Sequence, residues 1–415
     1  MGKLNKIIWK SLAVPGCVCL LAMLLPLGIV QDASMAPRDG VMPKPMGTAT
    51  VLGLGSLVGA QGRSRPYGIN DAGQVVGWSD TTSDDNHAFL WDPVNGMRDL
   101  SVLDSVAMGI NNAGQVVGAS DTMSDELHAF LWDEEHRMRD LGTLGGETSV
   151  ACGINDAGQV VGQSETTSDE MHAFLWDEEH GMRDLGTLGG ETSVAIGINN
   201  AGQVVGQSET TSDEMHAFLW DEEHGMRDLG TVGGEMSFAW AINNAGLVVV
   251  SSMTSFAEIH TFLWDPVNSM QNLGSLGGNS TAAQGINDAG QVVGQSVTTS
   301  DEVHAFLWDE EHGMRDLNDL IDPNSGWTLR NMIDLNEEGA MVGEGEYGNV
   351  QQAVLVTWGG GADEGGGCFG ATLDTSSQGR GIPDDLLLTA LVLLIFALTT
   401  GKHRSQHTLT VARND

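Results

Sequence analysis

The chain has 415 residues, with 56 acidic against 18 basic, for a formal charge of −38. Such a surface repels phosphate backbones and anionic lipid, which excludes nucleic-acid binding. Of four cysteines, Cys17 and Cys19 sit in an apolar leader, so no disulfide framework is encoded.

Lys3, Lys6 and Lys10 precede an apolar run from Leu12 to Val30 and small residues around Ala33 to Ala36, the three parts of a secretory signal over residues 1–36. Cleavage after Ala36 satisfies the small-x-small rule through Ser34. Cys17 after Val14-Pro15-Gly16 is the lipoprotein alternative, but the apolar run continues past it. Residues 37–48 read as a linker, and lysine disappears between Lys44 and Lys402.

From residue 49 a phrase repeats. His-Ala-Phe-Leu-Trp opens at His87, His128, His172, His216 and His304, with His-Thr-Phe-Leu-Trp at His260, and from His128 onward the step is 44 residues. A fixed period in this range marks a propeller, solenoid or array. In the unit from Ser149 to Leu188, alternation and turn residues predict strands at Ser149–Asn155, Gln159–Thr166, Met171–Asp177 and Met182–Leu188. Four short antiparallel strands per unit is the format of a propeller blade. In the third strand His172, Phe174 and Trp176 share one face and Ala173 and Leu175 the other. The recurring tryptophans therefore read as packing between blades. Cys152 stands where the next unit has Ile196 and reads as a small buried hydrophobe.

The ends of the array predict closure. The last unit supplies strands at Met332–Asn336, Ala340–Glu346 and Ala353–Trp358 and then stops, while Val51–Val58 resembles an orphan fourth strand. Together they complete a seventh blade and remove exposed edges. The fold expected over residues 49–358 is an all-β, seven-bladed β-propeller closed by an N-terminal strand; six or eight blades would require misreading the degenerate last unit.

The repeated histidines are too far apart in adjacent blades to share one metal ion. His136, His180, His224 and His312 occupy a hairpin slot that Asp92-Pro93-Val94-Asn95 and Asp265-Pro266-Val267-Asn268 also fill, so the slot needs a turn. Asp71, Asp156 and Asp288 trade with Asn112, Asn200 and Asn244, so charge there is optional. The pairs Asp125-Glu126, Asp169-Glu170, Asp213-Glu214 and Asp301-Glu302 should share a face with Glu147, Glu191 and Glu235. That acidic annulus is either solvated surface or a site for calcium or a basic partner. No nucleophile–base pair, phosphate loop or cofactor fingerprint stands out, and no catalytic, cofactor or metal residue is assigned. Arg63, Arg65 and Tyr67 break the repeat and are the first place to look for a unique site.

The repeated phrases, with Asp-Leu-Gly-Thr-Leu-Gly-Gly and Gly-Ile-Asn-x-Ala-Gly-Gln-Val-Val-Gly, resemble the bacterial HAF-repeat family of extracellular repeat proteins. Asp316-Leu317-Asn318-Asp319-Leu320-Ile321 and Gly326-Trp327-Thr328-Leu329 are similar to that family's last repeats. The resemblance covers about Val51 to Trp358 and implies an exported repeat protein without established catalytic residues.

Beyond it lie a Gly-rich linker, residues 359–385, an apolar segment at 386–400 and a tail at 401–415. Gly365-Gly366-Gly367-Cys368, the apolar stretch Leu386–Leu398 and Lys402-His403-Arg404 resemble a tripartite C-terminal sorting signal, which implies processing or lipid anchoring at Cys368. The stretch is short for a full span of about 20 residues, and eleven residues follow Arg404. An ordinary membrane anchor is the alternative.

The function expected is an exported, surface-tethered, non-catalytic binding scaffold, monomeric, with an extracellular protein or polysaccharide as partner. A hydrolase or lyase at the channel mouth is the alternative.

Overall fold

His-Ala-Phe-Leu-Trp forms a strand in every copy because its alternation suits a sheet buried on both faces. In blade 3 the strand is Met171–Asp177 as predicted. The computed structural model describes residues 48–358, apart from 60–61, 83–84, 102, 255–257, 268 and 349. The signal segment, Cys368 and the apolar 386–400 segment lie outside the described residues. Among those described, no helix is long and apolar enough to cross a membrane.

Seven four-stranded antiparallel sheets account for nearly all the ordered elements. Six are consecutive in sequence, starting at Ser64, Ser105, Gly145, Gly189, Ser237 and Gly277. The seventh joins Trp327–Leu335, Met341–Tyr347 and Val350–Trp358 to Ala49–Gly53, whose partners run from Ala49 with Trp358 to Gly53 with Val354. The closing strand is therefore five residues, ending five short of the predicted Val58. Gly55, at φ +71, turns the chain away beyond it.

Other strand boundaries differ as well: in the last unit the first strand starts at Trp327 instead of Met332 and the third at Val350 instead of Ala353. The first strand of blade 3 starts early, at Gly145, because Gly145 pairs with Thr166 past a register shift. Its fourth strand, Gly181–Asp184, stops four residues short of Leu188. There the Asp184 carboxylate accepts the Gly186 N–H and bends the chain toward the next blade.

First strands of neighbouring blades touch one another all round the ring, so they are the innermost. The blades pack bulk against small residues. Val117, Ala129 and Leu131 of blade 2 meet Phe174 and Trp176 of blade 3, and Val161, Ala173 and Leu175 of blade 3 meet Phe218 and Trp220 of blade 4. The seam repeats the scheme, with Ala353 and Leu355 of blade 7 against Phe89 and Trp91 of blade 1. Each such aromatic contributes about 2–3 kcal/mol by leaving water.

Cys152 departs from its expected burial. A bulge between Ala151 and Gly153 makes it the extra residue of the innermost strand, and it is half-buried. The next residue, Gly153, is glycine for a steric reason: an added Cβ would lie 2.9 Å from the Ile196 carbonyl oxygen of the neighbouring inner strand.

Candidate functional site

The turn that follows each innermost strand carries a closed hydrogen-bond circuit. Asn70 Nδ2 donates to the Asn111 carbonyl, and the pattern continues through Asn155, Asn199, Asn243, Asn287 and Asn336, at 3.0–3.1 Å. Asn336 then donates to the Asn70 carbonyl at 3.0 Å, which joins the last blade to the first. The same asparagines accept from their own turns, as Asn155 Oδ1 does from Gln159 N–H. A second circuit runs one residue on: Asp71 N–H donates to Asn112 Oδ1, and so on through Asp156, Asn200, Asn244, Asp288 and Glu337 back to Asp71. Only an oxygen acceptor is needed, so Asp, Asn and Glu interchange. Sequence reading found the charge optional and missed both circuits. The signal was the asparagine before each Asp/Asn slot, present in all seven units, the degenerate one included.

Glu337 lies between Asp288 and Asp71 in the second circuit. Burial and the charges of both neighbours raise its carboxyl above the ordinary value. Beside it, Asp334 occupies the slot of Gly153 and crosses the seam to accept the Ile69 N–H at 3.0 Å. Burial pushes its carboxyl up to about 7, against the opposing effect of the Ile69 and Leu335 N–H groups.

The repeated histidines are held by carboxylates. His128, His172, His216 and His304 each set Nδ1 against an aspartate on the fourth strand, Asp140, Asp184, Asp228 and Asp316, at 2.5–2.9 Å. A carboxylate only accepts, so Nδ1 carries the proton and the ring ties the third strand to the fourth. Blade 5 has Asn272 in the aspartate's place, and there His260 turns to Glu258 at 3.3 Å. His136, His180, His224 and His312 lie against Asp133, Asp177, Asp221 and Asp309 within their hairpins. Among the described residues no group of His, Cys, Asp or Glu has the arrangement to hold a metal ion.

The acidic loops and the connections between blades do share one end of the blade, as the Gly145–Thr166 pairing requires. Asp125, Asp169, Asp213 and Asp301 are exposed with φ of 60–63°, a conformation aspartate tolerates, so these carboxylates tip the loops as turn residues. The glutamates that follow approach His Nε2, as Glu170 does His172 at 3.6 Å.

Of the three residues that break the repeat, Arg65 and Tyr67 come together, the guanidinium 5.4 Å from the ring centroid. Arg65 also meets Glu344 of blade 7 at 2.6 Å, an ion pair across the seam. Arg63 turns away to Asp80 of its own blade at 3.2 Å. Of the three, Arg65 is the residue that clamps the ring closure.

A concavity forms where sequence reading placed no site. The step from Asn287 to Asn336 is 49 residues instead of 44, because an insert separates blade 6 from blade 7. Asp316 caps a short 3-10 turn, Leu317–Asp319, by accepting the Asn318 N–H. Asn318 then pairs with both polar groups of the Leu329 backbone and locks the insert to blade 7. The insert borders an open cavity of about 310 Å³, with Glu302 and His304 on one side and Trp327, Thr328 and Arg330 on the other. The aspartates of the other His pairs are 42–54% exposed, but Asp316 is 17% exposed.

No family model matches the chain, and no curated protein matches it. Among solved structures, the β-propeller domain of the Trilobed protease from Pyrococcus furiosus, which has an open velcro topology, is similar at TM-score 0.52 and 10% identity, over 72% of this chain and 96% of that one. A puromycin hydrolase mutant is similar at TM-score 0.45 and 14% identity, over 70% of this chain. This chain spans about half of that protein, 51%. TolB from Acinetobacter baumannii is similar at TM-score 0.39 and 11% identity, over 68% of this chain and 79% of that one. At these identities the likeness extends to the fold: the chain is a seven-bladed β-propeller with four antiparallel strands per blade.

Proposed function

We propose that the chain is an exported, surface-tethered repeat protein that acts as a non-catalytic binding scaffold at the cell surface or in its matrix. The observation that supports this most directly is the engagement of the repeated polar groups. The histidines brace strands, the asparagines join blades, and the loop aspartates shape turns. Repeated groups that serve the frame leave the exposed loop end, acidic and rigidly held, as the surface offered to a partner. An extracellular protein or polysaccharide is the partner this surface suits, and its charge excludes nucleic acid.

Export and tethering are tested together by shaving intact host cells with protease and measuring the mass of the mature chain. The expected mature protein lacks residues 1–36, is accessible from outside, and ends near Cys368. A mature chain ending at Asp415 overturns processing at Cys368. A chain protected in intact cells and exposed only on lysis overturns the surface scaffold.

A further inference from the structure

We infer that the cavity between blades 6 and 7 binds a neutral sugar unit of a glycan. This deepens the scaffold reading and rests on it. The argument starts from the insert. At the junctions after blades 2, 3 and 4 the connection is a short Gly-rich turn, and the corresponding His–Asp pair lies open at 43–54% exposure of the aspartate. At the sixth junction the insert, fixed to Leu329 by Asn318, converts the same place into a cavity of about 310 Å³. That volume is at the lower end of the range for small-molecule sites.

The lining selects the chemistry. Glu302 and Asp322 present carboxylate oxygens, which only accept hydrogen bonds. His304 stands between Asp316 and Glu302, with Nδ1 2.5 Å from Asp316 and Nε2 3.7 Å from Glu302, and so keeps the Glu302 carboxylate at this wall. Arg330 supplies donors from the opposite wall, held in place by Glu346 at 2.9 Å. Trp327 adds an aromatic surface, itself steadied by Tyr347 at a centroid distance of 5.1 Å. A ligand that meets this set carries several donors, at least one acceptor, and an apolar face. A pyranose ring has all three: hydroxyls that donate to Glu302 and Asp322 and accept from Arg330, and a C–H face for Trp327.

Charge narrows the class further. An anionic sugar would approach two cavity carboxylates on a chain of formal charge −38, so uronic and sulfated glycans are disfavoured. A simple ammonium would satisfy the carboxylates but meets Arg330 and leaves the Trp327 surface without a C–H partner. The neutral hexose unit is the occupant that fits both walls.

The test uses mature protein purified from its host and titrated by intrinsic tryptophan fluorescence and by calorimetry. The probes are cellotetraose, maltotetraose and xylotetraose as neutral ligands, a chitosan tetramer as the amine, and tetragalacturonate as the acid. Saturable binding of at least one neutral tetramer is expected, with none of the acid. Glu302→Gln, at an exposed loop position that leaves packing intact, should weaken binding at least tenfold. Glu170→Gln, the same loop position in blade 3 where no insert exists, should leave it unchanged. Binding of the amine without any neutral sugar, binding of none of the probes, or equal loss in both variants overturns the assignment. Labelled protein applied to host cells separates this from the broader reading. Cell binding that survives Glu302→Gln sinks the cavity as the site and leaves the scaffold standing, whereas wild-type protein that fails to bind cells sinks the scaffold itself.

Discussion

Blade 3 and blade 7 have the same strand topology but are built differently. Blade 3 is written in one stretch, Gly145 to Asp184, and its neighbours are near copies. Blade 7 is assembled from the two ends of the repeat array, and its positions depart from the repeat where it meets other blades. Where blade 3 has Gly153, so that inner strands can approach, blade 7 has Asp334, which bridges the gap with a hydrogen bond to Ile69. Where blade 3 has Asp156 in the second circuit, blade 7 reaches with the longer Glu337. Repetition thus solves the blade-to-blade contact once and copies it. The seam needs its own solutions, because its two sides come from opposite ends of the array.

The largest effect expected on this comparison comes from removing the closing strand. Deleting Ala49–Gly53 strips Val350–Trp358 of its outer partner and exposes a sheet edge. It also removes the Ala49 N–H that donates to the Leu320 carbonyl of the insert. The truncated protein should melt at least 10 °C lower and self-associate in sedimentation velocity. Unchanged melting of a monomer would show that the ring does not depend on its clasp.

Next come the circuit asparagines. Asn155→Ala and Asn336→Ala each remove a donor to the next blade and leave buried backbone groups unpaired, at about 1–3 kcal/mol. Chemical denaturation of both variants measures whether the seam bond is worth as much as a bond between copies. Equal losses are expected, since the geometry matches to 0.1 Å. A loss at Asn336 alone would mean that the circuit acts only as a seam latch.

The glycine slot sharpens the comparison further. Gly153→Ala should cost about 1–3 kcal/mol from the clash with the Ile196 carbonyl. Blade 5 carries Ala241 at that slot, so Ala241→Gly should cost less than 1 kcal/mol, the ordinary entropy loss for glycine in a strand.

Acidity tests the seam without changing its shape. Asp334 titrates at about 7 in the fold and near 4 when unfolded, so between those values the folded chain holds a proton that the unfolded chain has lost. Its contribution to stability is full below about pH 4 and falls as pH rises to about 7. Asp104, raised by burial to about 6, acts in the same direction over a narrower window. Asp133, held below the usual range by the His136 backbone N–H, acts only below about pH 4. Asp334→Asn should therefore flatten the decline in melting temperature from pH 4.5 to 7.5, as followed by calorimetry. An unchanged slope would place the titrating group elsewhere.

The smallest effect concerns the acidic loop end. With the loop aspartates serving as turn residues, millimolar calcium should raise the melting temperature no more than matched sodium does, and a calcium-specific rise would make them ligands. An equal response to both salts leaves them as solvated turn residues.

Much of this protein is determined by its sequence alone. The 44-residue period set the blade, the alternation in His-Ala-Phe-Leu-Trp set which residues face which neighbour, and the two fragmentary ends set the closure. These are local patterns or simple counting, so they survive without coordinates. What only the tertiary structure decided depends on atoms from different blades. The asparagine circuits join residues 41 to 49 apart, and the seam bonds join residues about 266 apart. Half-burial of Cys152 follows from a bulge that a pattern of apolar letters does not record. The cavity arises because an insert of five extra residues folds back on a neighbouring blade, and its walls, Glu302 and Arg330, become neighbours only when blades 6 and 7 pack together.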